Sequence, residues 1–492
     1  MDPWRIGIST QTPLVRWTHH VATAVAPADP TERVGEPPAR GEVEGEGGAS
    51  GGGPPGSQQI AVPRSTGPDL VDGRLREFHV SPGGVSRMVL QSIRAWHATG
   101  RLGEAHWFSL QPLGPEHIEL DGMPVGLHHL RLAPEVMAGY ARTKETLWGD
   151  LHGLPSKPFG PEDFRAFMAY NAATSDAILA QAPDLDAVYV HDFQLLQVGA
   201  MVGLAEPCVL RWHVPFDPSR IPEYTRNFVL RMMESFDAVI VSTRRDLEGL
   251  TNSGYRGTVR QIYPHTESAD WAAPTAAAAQ RFEHDTGLRI NEPVVLCVAR
   301  MDPMKRQDVL LQAMALLRRK HPLAKVVLVG NGSFSGSKSN GLGLSKAGQW
   351  RAHLESMAHQ LGLGGRAIFT GWMPDDLVAA AYARADVLVL PSDIEGFGLT
   401  PFEAWGYRKP CIVTTGCGAA EVVQDGVTGS TVPPADPRAL ADALDSILSS
   451  PEKALRMGEA GRVALRGFEA TRAAEAEWQV MEEARRRFHR KA

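Results

Sequence analysis

Two glutamates, Glu395 and Glu403, stand eight positions apart in the run EGFGLTPFEAWGYRKP. Between them lie Gly396, Phe397, Gly398 and Leu399. The preceding ADVLVLPSD reads as a buried strand and the following residues as a helix, so the glycines mark a strand-to-helix turn. Such a turn presents free backbone N–H groups at a helix start, and these attract anions. The glycines let the backbone approach closely, and a diphosphate fits the site. Arg300 and Lys305, beyond an earlier strand-like run, supply the cationic side of a diphosphate clamp. Glu403 lies about one turn into the helix, where it can accept hydrogen bonds from ribose hydroxyls. Glu395 precedes the turn and can hold hydroxyls of a sugar on the diphosphate. The two acids read as hydroxyl acceptors flanking an anion site, not as a glycosidase pair.

In open α/β sheets ligands bind beyond the carboxyl ends of the strands. Polar, charged or glycine residues follow one strand-like run after another: Pro82-Gly83-Gly84-Val85, His191-Asp192, His213, Arg300 with Lys305, Gly371-Trp372, and Asp393 with Glu395. Each has a bland reading alone. An acid-Gly-x-Gly turn is a weak signal, Arg300 and Lys305 fit a solvated helix start, and His191-Asp192 fits an ordinary cap. Their joint order along the chain is harder to explain as accident, and two such edges facing each other make a cleft.

The strands expected to position these groups are RIGIS, REFHV, AVYV, CVLRW, AVIVS, VVLCVA, KVVLVG, AIFTG, VLVLP and CIVTT. Their near-continuous apolar character fits parallel strands covered on both faces, alternating with helices in doubly wound sheets. At 492 residues the chain is too long for one core, so two domains are expected, with the break near IYPHTESADWAAPTAAAAQ. The first spans 1–268 and the second 269–466. In the tail, 467–492, Phe468, Trp478 and Met481 are spaced among charges as in a terminal amphipathic helix packing back toward the first domain. Residues 26–68, rich in Gly, Pro and Glu, read as a disordered insertion. GNGSFSGSKSNGLGLSKAG reads as a mobile lid or a plain surface loop.

Composition is that of a globular protein, 43% hydrophobic and 22% charged. A formal net charge of −6 argues against a general nucleic-acid or polyphosphate binder. No apolar run reaches the length of a membrane span. MDPWRIGIST lacks the basic-then-apolar pattern of a signal peptide. The scattered Cys208, Cys297, Cys411 and Cys417 read as reduced, buried thiols of a cytoplasmic protein. No close Cys/His cluster suggests zinc, and His19-His20 read as loop residues.

The segments ARMDPMKRQDVLLQA, FTGWMPDDLVAAAYARADVLVLPS, EGFGLTPFEAWGYRKPCIVT and GAAEVVQDGVTG resemble the retaining nucleotide-sugar glycosyltransferases of family 4. That resemblance covers about 290–490 and implies the GT-B fold: two Rossmann-like doubly wound domains facing across a cleft. In the first half, HVSPGGVSRMV, EAHWFSL, ARTKETLWGDLHG, VYVHDFQLL, LRWHVPFD and MESFDAVIVST resemble the trehalose glycosyltransferring synthases, which join NDP-glucose to free glucose. HDFQL and WHVPF are similar, more distantly, to trehalose-6-phosphate synthases. The insertion and TPLVRW lie outside the pattern.

By position, the resemblance implies that Arg300 and Lys305 bind the diphosphate and stabilise the leaving group. Glu403 would bind the ribose, and Glu395 the donor sugar. Asp192 and His213 would line the donor-sugar and acceptor side, and Gly84 the loop closing over the diphosphate. Trp372 and Met373 would border the base, and Gly396, Phe397, Gly398 and Leu399 the donor. The partners implied are a nucleotide sugar donor and a small sugar acceptor, with a homodimer left open and no nucleic acid or membrane. Front-face transfer with retention is expected. No cofactor or metal is called for, since cationic side chains neutralise the leaving group and there is no convincing Asp-x-Asp motif. The expected product is trehalose from unphosphorylated glucose. A trehalose-6-phosphate synthase-like or other small-acceptor glycosyltransferase, a trehalose phosphorylase of the same fold and a non-catalytic binding protein are the alternatives.

Overall fold

The computed structural model describes residues 3–17, 71–72, 78–81, 84–111, 114–267, 271–331 and 342–491. The expected insertion at about 26–68 lies outside these, as do His19-His20.

The first domain is built on the strands β1 (Trp4–Ser9), β2 (Val15–Trp17), β3 (Val71–Asp72), β4 (Phe78–Val80), β5 (Leu102–Leu110), β6 (His117–Leu120), β7 (Met123–Leu130), β8 (Ala187–His191), β9 (Cys208–Arg211), β10 (Ala238–Val241) and β11 (Val259–Gln261). Nine of them form one sheet, in the order β11-β10-β9-β8-β1-β5-β7-β6-β3. Its centre is parallel, and β6 returns antiparallel to β7. The second sheet has the strands β12 (Val294–Val298), β13 (Lys325–Val329), β14 (Ala367–Gly371), β15 (Val387–Leu390), β16 (Cys411–Thr414) and β17 (Gly429–Val432). Their order is β14-β13-β12-β15-β16-β17, and every pairing is parallel.

Both sheets reverse direction in the middle. The chain winds outward from β12 through β13 to β14, then restarts at β15 beside β12. In the first sheet the same reversal falls between β1 and β8. At a reversal neighbouring loops part to opposite faces and leave a crevice at the carboxyl edge. Arg300, Lys305 and Glu395 follow β12 and β15, and Asp192 follows β8.

Apolar runs covered on both faces make two cores per sheet. Phe108, Val188, Val190, Leu210 and Val239 face one side of the first sheet, and Ile6, Ile8, Trp107, Tyr189 and Ile240 the other. The Ala470–Lys491 helix completes the second of these cores with Ala474, Trp478 and Met481. Trp478 packs 4.6 Å from Trp4 and 5.7 Å from Trp96, centroid to centroid.

Four details differ from the expectations drawn from the sequence. Of REFHV, the described residues Phe78–Val80 form β4, which pairs antiparallel with β2 in a separate ladder and not with the parallel sheet. The central strands β5 and β7 went unread as strands, since Gly103, Glu104, His106, His128 and His129 interrupt their apolar pattern. Phe468 is outside the final helix. It stands on a short turn, Arg466–Phe468, and packs 4.7 Å from Phe402 in the second domain. Beyond it the chain crosses back, where Thr266 N donates to the Phe468 carbonyl and Ala470 N to that of Thr266. The two crossings between the domains therefore lie side by side. The end of GNGSFSGSKSNGLGLSKAG also belongs to a helix, Leu342–Gln360.

A buried ion pair fastens the final helix. Arg211 and Glu477 are both wholly buried, with Nη1 3.7 Å from Oε1. Ser92 Oγ donates to Glu477 Oε2 at 2.8 Å, and Arg211 Nη2 donates to the Ile262 carbonyl at 2.8 Å. Removing one partner leaves the other charge buried alone. We expect Glu477→Ala to lower unfolding free energy by about 3–5 kcal/mol. Urea denaturation followed by circular dichroism checks this, and an unchanged midpoint contradicts it.

Candidate active site

The loops after β12 and β15 are tied together before any ligand arrives. Asp302 caps the turn Pro303–Lys305, its Oδ1 accepting from Met304 N at 3.0 Å. Asp393 N donates to the Met304 carbonyl at 2.9 Å, which pins the second loop to the first. Gln307 Nε2 donates to the Arg300 carbonyl at 2.8 Å and fixes the segment carrying that guanidinium. Lys305, only 7% exposed, donates from its ammonium to the Glu395 carboxylate. Burial pushes the Glu395 carboxyl up, but Lys305, Arg300 and His152 outweigh it and hold the carboxyl below its ordinary value. The resting site thus keeps a salt bridge in its floor.

The turn itself requires glycine twice. Gly398 has φ of 88°. A Cβ on Gly396 would collide with the His213 carbonyl of the opposite domain. Along this turn, the amides of Gly396, Phe397, Gly398, Leu399 and Thr400 donate to no acceptor among the described residues. They run into the Thr400–Gly406 helix, and the Thr400 hydroxyl beside them is buried and also without a partner. Unclaimed backbone donors at a helix start are the physical basis of anion sites. Glu403, on the same helix, is fixed by a hydrogen bond from the Tyr382 hydroxyl.

The facing edge supplies Asp192, His213 and Gly84. Asp192 sits at φ 72°, a conformation uncommon outside glycine and of the kind that gathers at functional sites. Burial pushes its carboxyl up to about 7, against hydrogen bonds from the Phe193 and His213 backbone and the Gln194 side chain. His191 Nδ1 lies 3.0 Å from His213 Nε2, with the rings stacked. Burial pulls both below the ordinary histidine range, His191 to about 3, so the pair is neutral at physiological pH. Gly84 opens the Gly84–Ala98 helix, and a Cβ there would lie 3.5 Å from Leu399 Cδ1. Trp372 is exposed, whereas the Met373 side chain belongs to the second domain's core. Met373 shares that core with Phe397 of the turn.

One wall was missed in the sequence. The Pro134–Leu151 helix aligns Lys144, Trp148 and, at its C-cap, His152. The Arg300 guanidinium lies 5.8 Å from the Trp148 ring centroid, and Trp148 lies 4.3 Å from His152. Burial pulls His152 down to about 4, with Lys305 and Arg300 adding to it against Glu395. Lys144 is pulled down by burial and by Arg300, against Glu145. The signal was present in ARTKETLWGDLHG as a spacing of four, 144, 148, 152, which puts the three on one helix face. At the rim, Arg87 pairs with Asp375 and Lys346 with Glu145, each across the domain boundary.

The raised Asp192 carboxyl sets a pH dependence. Between about pH 4, where an unfolded aspartate ionises, and about 7, the folded chain holds a proton that the unfolded chain has released. Stability from this group therefore falls as pH rises through that window. Asp192→Asn cannot ionise, so its thermal midpoint should gain on wild type by more at pH 8 than at pH 5. An equal offset at the two pH values contradicts the assignment.

Residues 280–464 match the family model described as Glycosyl transferases group 1. This stretch contains Arg300, Lys305 and the Glu395–Glu403 turn, and excludes the facing edge. A GDP-mannose-dependent alpha-(1-6)-phosphatidylinositol monomannoside mannosyltransferase of Mycolicibacterium smegmatis is 32% identical over 206 residues, 40% of this chain and 50% of that protein. A D-inositol 3-phosphate glycosyltransferase of Corynebacterium jeikeium is 28% identical over 269 residues, 54% of this chain and 60% of that protein. The chain thus spans about half the length of the curated relatives it matches. The E. coli trehalose-6-phosphate structure bound with UDP-2-fluoro glucose superposes with a TM-score of 0.68 at 16% identity, covering 82% of this chain and 97% of that one. The chain has the GT-B fold, and its second domain is similar in sequence to the group 1 glycosyl transferases.

Proposed function

We propose that the chain transfers a hexose from a nucleoside diphosphate sugar to a hydroxyl of a small acceptor, with retention at the anomeric carbon. One observation carries this reading: a row of unclaimed amides, Gly396 to Thr400, beside the cations Lys305 and Arg300 in the crevice of a doubly wound sheet. Amides and cations together neutralise a diphosphate as it leaves. Glu395, released from Lys305 when phosphate takes the ammonium, accepts from hydroxyls of the donor sugar. Glu403 takes the ribose. The acceptor enters from the Asp192, His213 and Trp148 side and attacks the face that the diphosphate vacates, and the departing phosphate oxygen receives its proton. Closure of the domains keeps water from the activated donor.

Glucose is the first acceptor to test, giving an α,α-linked disaccharide, on the first-half resemblance to synthases that use free glucose. A second reading has a specific observation behind it. Lys144 adds a third cation near Arg300, and one relative is named for D-inositol 3-phosphate, so a phosphorylated acceptor is the competing substrate class.

The experiment incubates the enzyme with UDP-, ADP- or GDP-linked glucose or mannose and with glucose, glucose 6-phosphate or inositol 3-phosphate, in the presence of EDTA. Mass spectrometry reads the products. We expect a hexosyl product that survives chelation, with free glucose preferred. Preference for a phosphorylated acceptor overturns the glucose assignment and leaves the donor site standing. No transfer and no donor hydrolysis with any nucleotide sugar overturns the function.

A further inference from the structure

We propose that Arg245, in the first domain, is a positioning residue for the anion site of the second. The proposal rests on the diphosphate reading above and extends it to a residue outside the cleft.

Arg245 stands at the start of the Arg244–Asn252 helix, and its side chain crosses the domain boundary. Nη1 donates to the Gly416 carbonyl at 2.9 Å, and Nη2 to the Glu395 carbonyl at 2.8 Å and the Gly396 carbonyl at 3.3 Å. The last two belong to the peptides that begin the anion turn. A trans peptide is planar, with its C=O and N–H pointing in opposite directions. Drawing the Glu395 carbonyl toward Arg245 turns the Gly396 N–H away from it, and drawing the Gly396 carbonyl does the same for the Phe397 N–H. The guanidinium thus sets the direction of the first two unclaimed amides from behind.

The second domain returns the contact. Glu421 accepts from Arg244 N and Arg245 N, each at 2.9 Å, one carboxylate oxygen to each amide. Tyr263 donates to the same carboxylate at 3.1 Å. A carboxylate at a helix start satisfies orphan donors and complements the helix dipole. Each domain therefore completes the other's backbone, and the seam holds only when the two are docked. Asp246 is wholly buried 3.7 Å from Arg245 Nε, and it accepts from Phe216 N at 2.9 Å. It anchors the guanidinium's rear. A lysine has no fork with which to reach Gly416 and Glu395 together.

Two variants and one rescue test this. Calorimetry on the full chain measures binding of UDP, GDP and ADP, and of the matching monophosphates. In Arg245→Lys and Arg245→Ala, we expect affinity for the diphosphate that wild type binds to fall about tenfold or more, with the monophosphate much less affected. Guanidinium chloride at low millimolar concentration should restore diphosphate binding to Arg245→Ala and do nothing for wild type. If the alanine variant does not fold, the lysine variant carries the test. Diphosphate binding that survives in the variants, or falls equally for monophosphate, overturns the proposal alone, as does failure of guanidinium to rescue a folded alanine variant. Absence of diphosphate binding in wild type overturns the functional reading and this proposal with it.

Discussion

A row of backbone N–H groups without acceptors among the described residues, from Gly396 to Thr400, is the constraint on which the rest of this structure turns. Buried amides are nearly always satisfied in a folded protein, because an unmet donor costs free energy comparable to a lost hydrogen bond. Here the turn gathers five, two of them on the buried residues Gly396 and Phe397 and three on the half-buried Gly398, Leu399 and Thr400. Gly398 supplies the left-handed backbone that bends the chain there. Gly396 allows the turn to lie against the His213 carbonyl. The strand order reverses between β12 and β15, and the turn follows β15 at that reversal.

The charges around the turn are paired with one another. Lys305 and Glu395 satisfy each other, so neither is left as a buried uncompensated charge. Under the proposed function, an incoming diphosphate would offer Lys305 a second anion, and its sugar would offer Glu395 hydroxyl donors in exchange. In the proposed reading the pair would be a placeholder whose two halves separate onto the two halves of one ligand. The opposite edge is quieter electrically. His191, His213 and His152 are held neutral by burial, and the Asp192 carboxyl is shifted toward neutrality. The cations Lys305 and Arg300 thus stand by the turn, and neutral histidines line the facing edge.

The turn was legible in the sequence because each of its signals is local. An apolar run, an acid, two glycines and a helix pattern follow one another within a short span, and Arg300 and Lys305 follow another such run. The remainder depended on distant contacts. β5 and β7 carry histidines and Glu104 through the middle of the first sheet, so their period was obscured. Phe468 reads as helical from its spacing, but the chain uses it to close the second core before crossing back. Lys144, Trp148 and His152 share a helix face, yet only the folded chain shows Arg300 opposite them. Arg245 and Glu421 are the furthest from legibility. They act on backbone carbonyls and amides some 150 to 177 positions away, which leave no mark in side-chain pattern.

The most direct test of the central claim is a crystal structure with a bound nucleoside diphosphate. The expected result is a terminal phosphate whose oxygens accept from the amides between Gly396 and Thr400 and from Lys305, with the Lys305–Glu395 pair parted. A nucleotide bound elsewhere, or one bound in the cleft with the pair intact and the amides still unclaimed, would contradict the account.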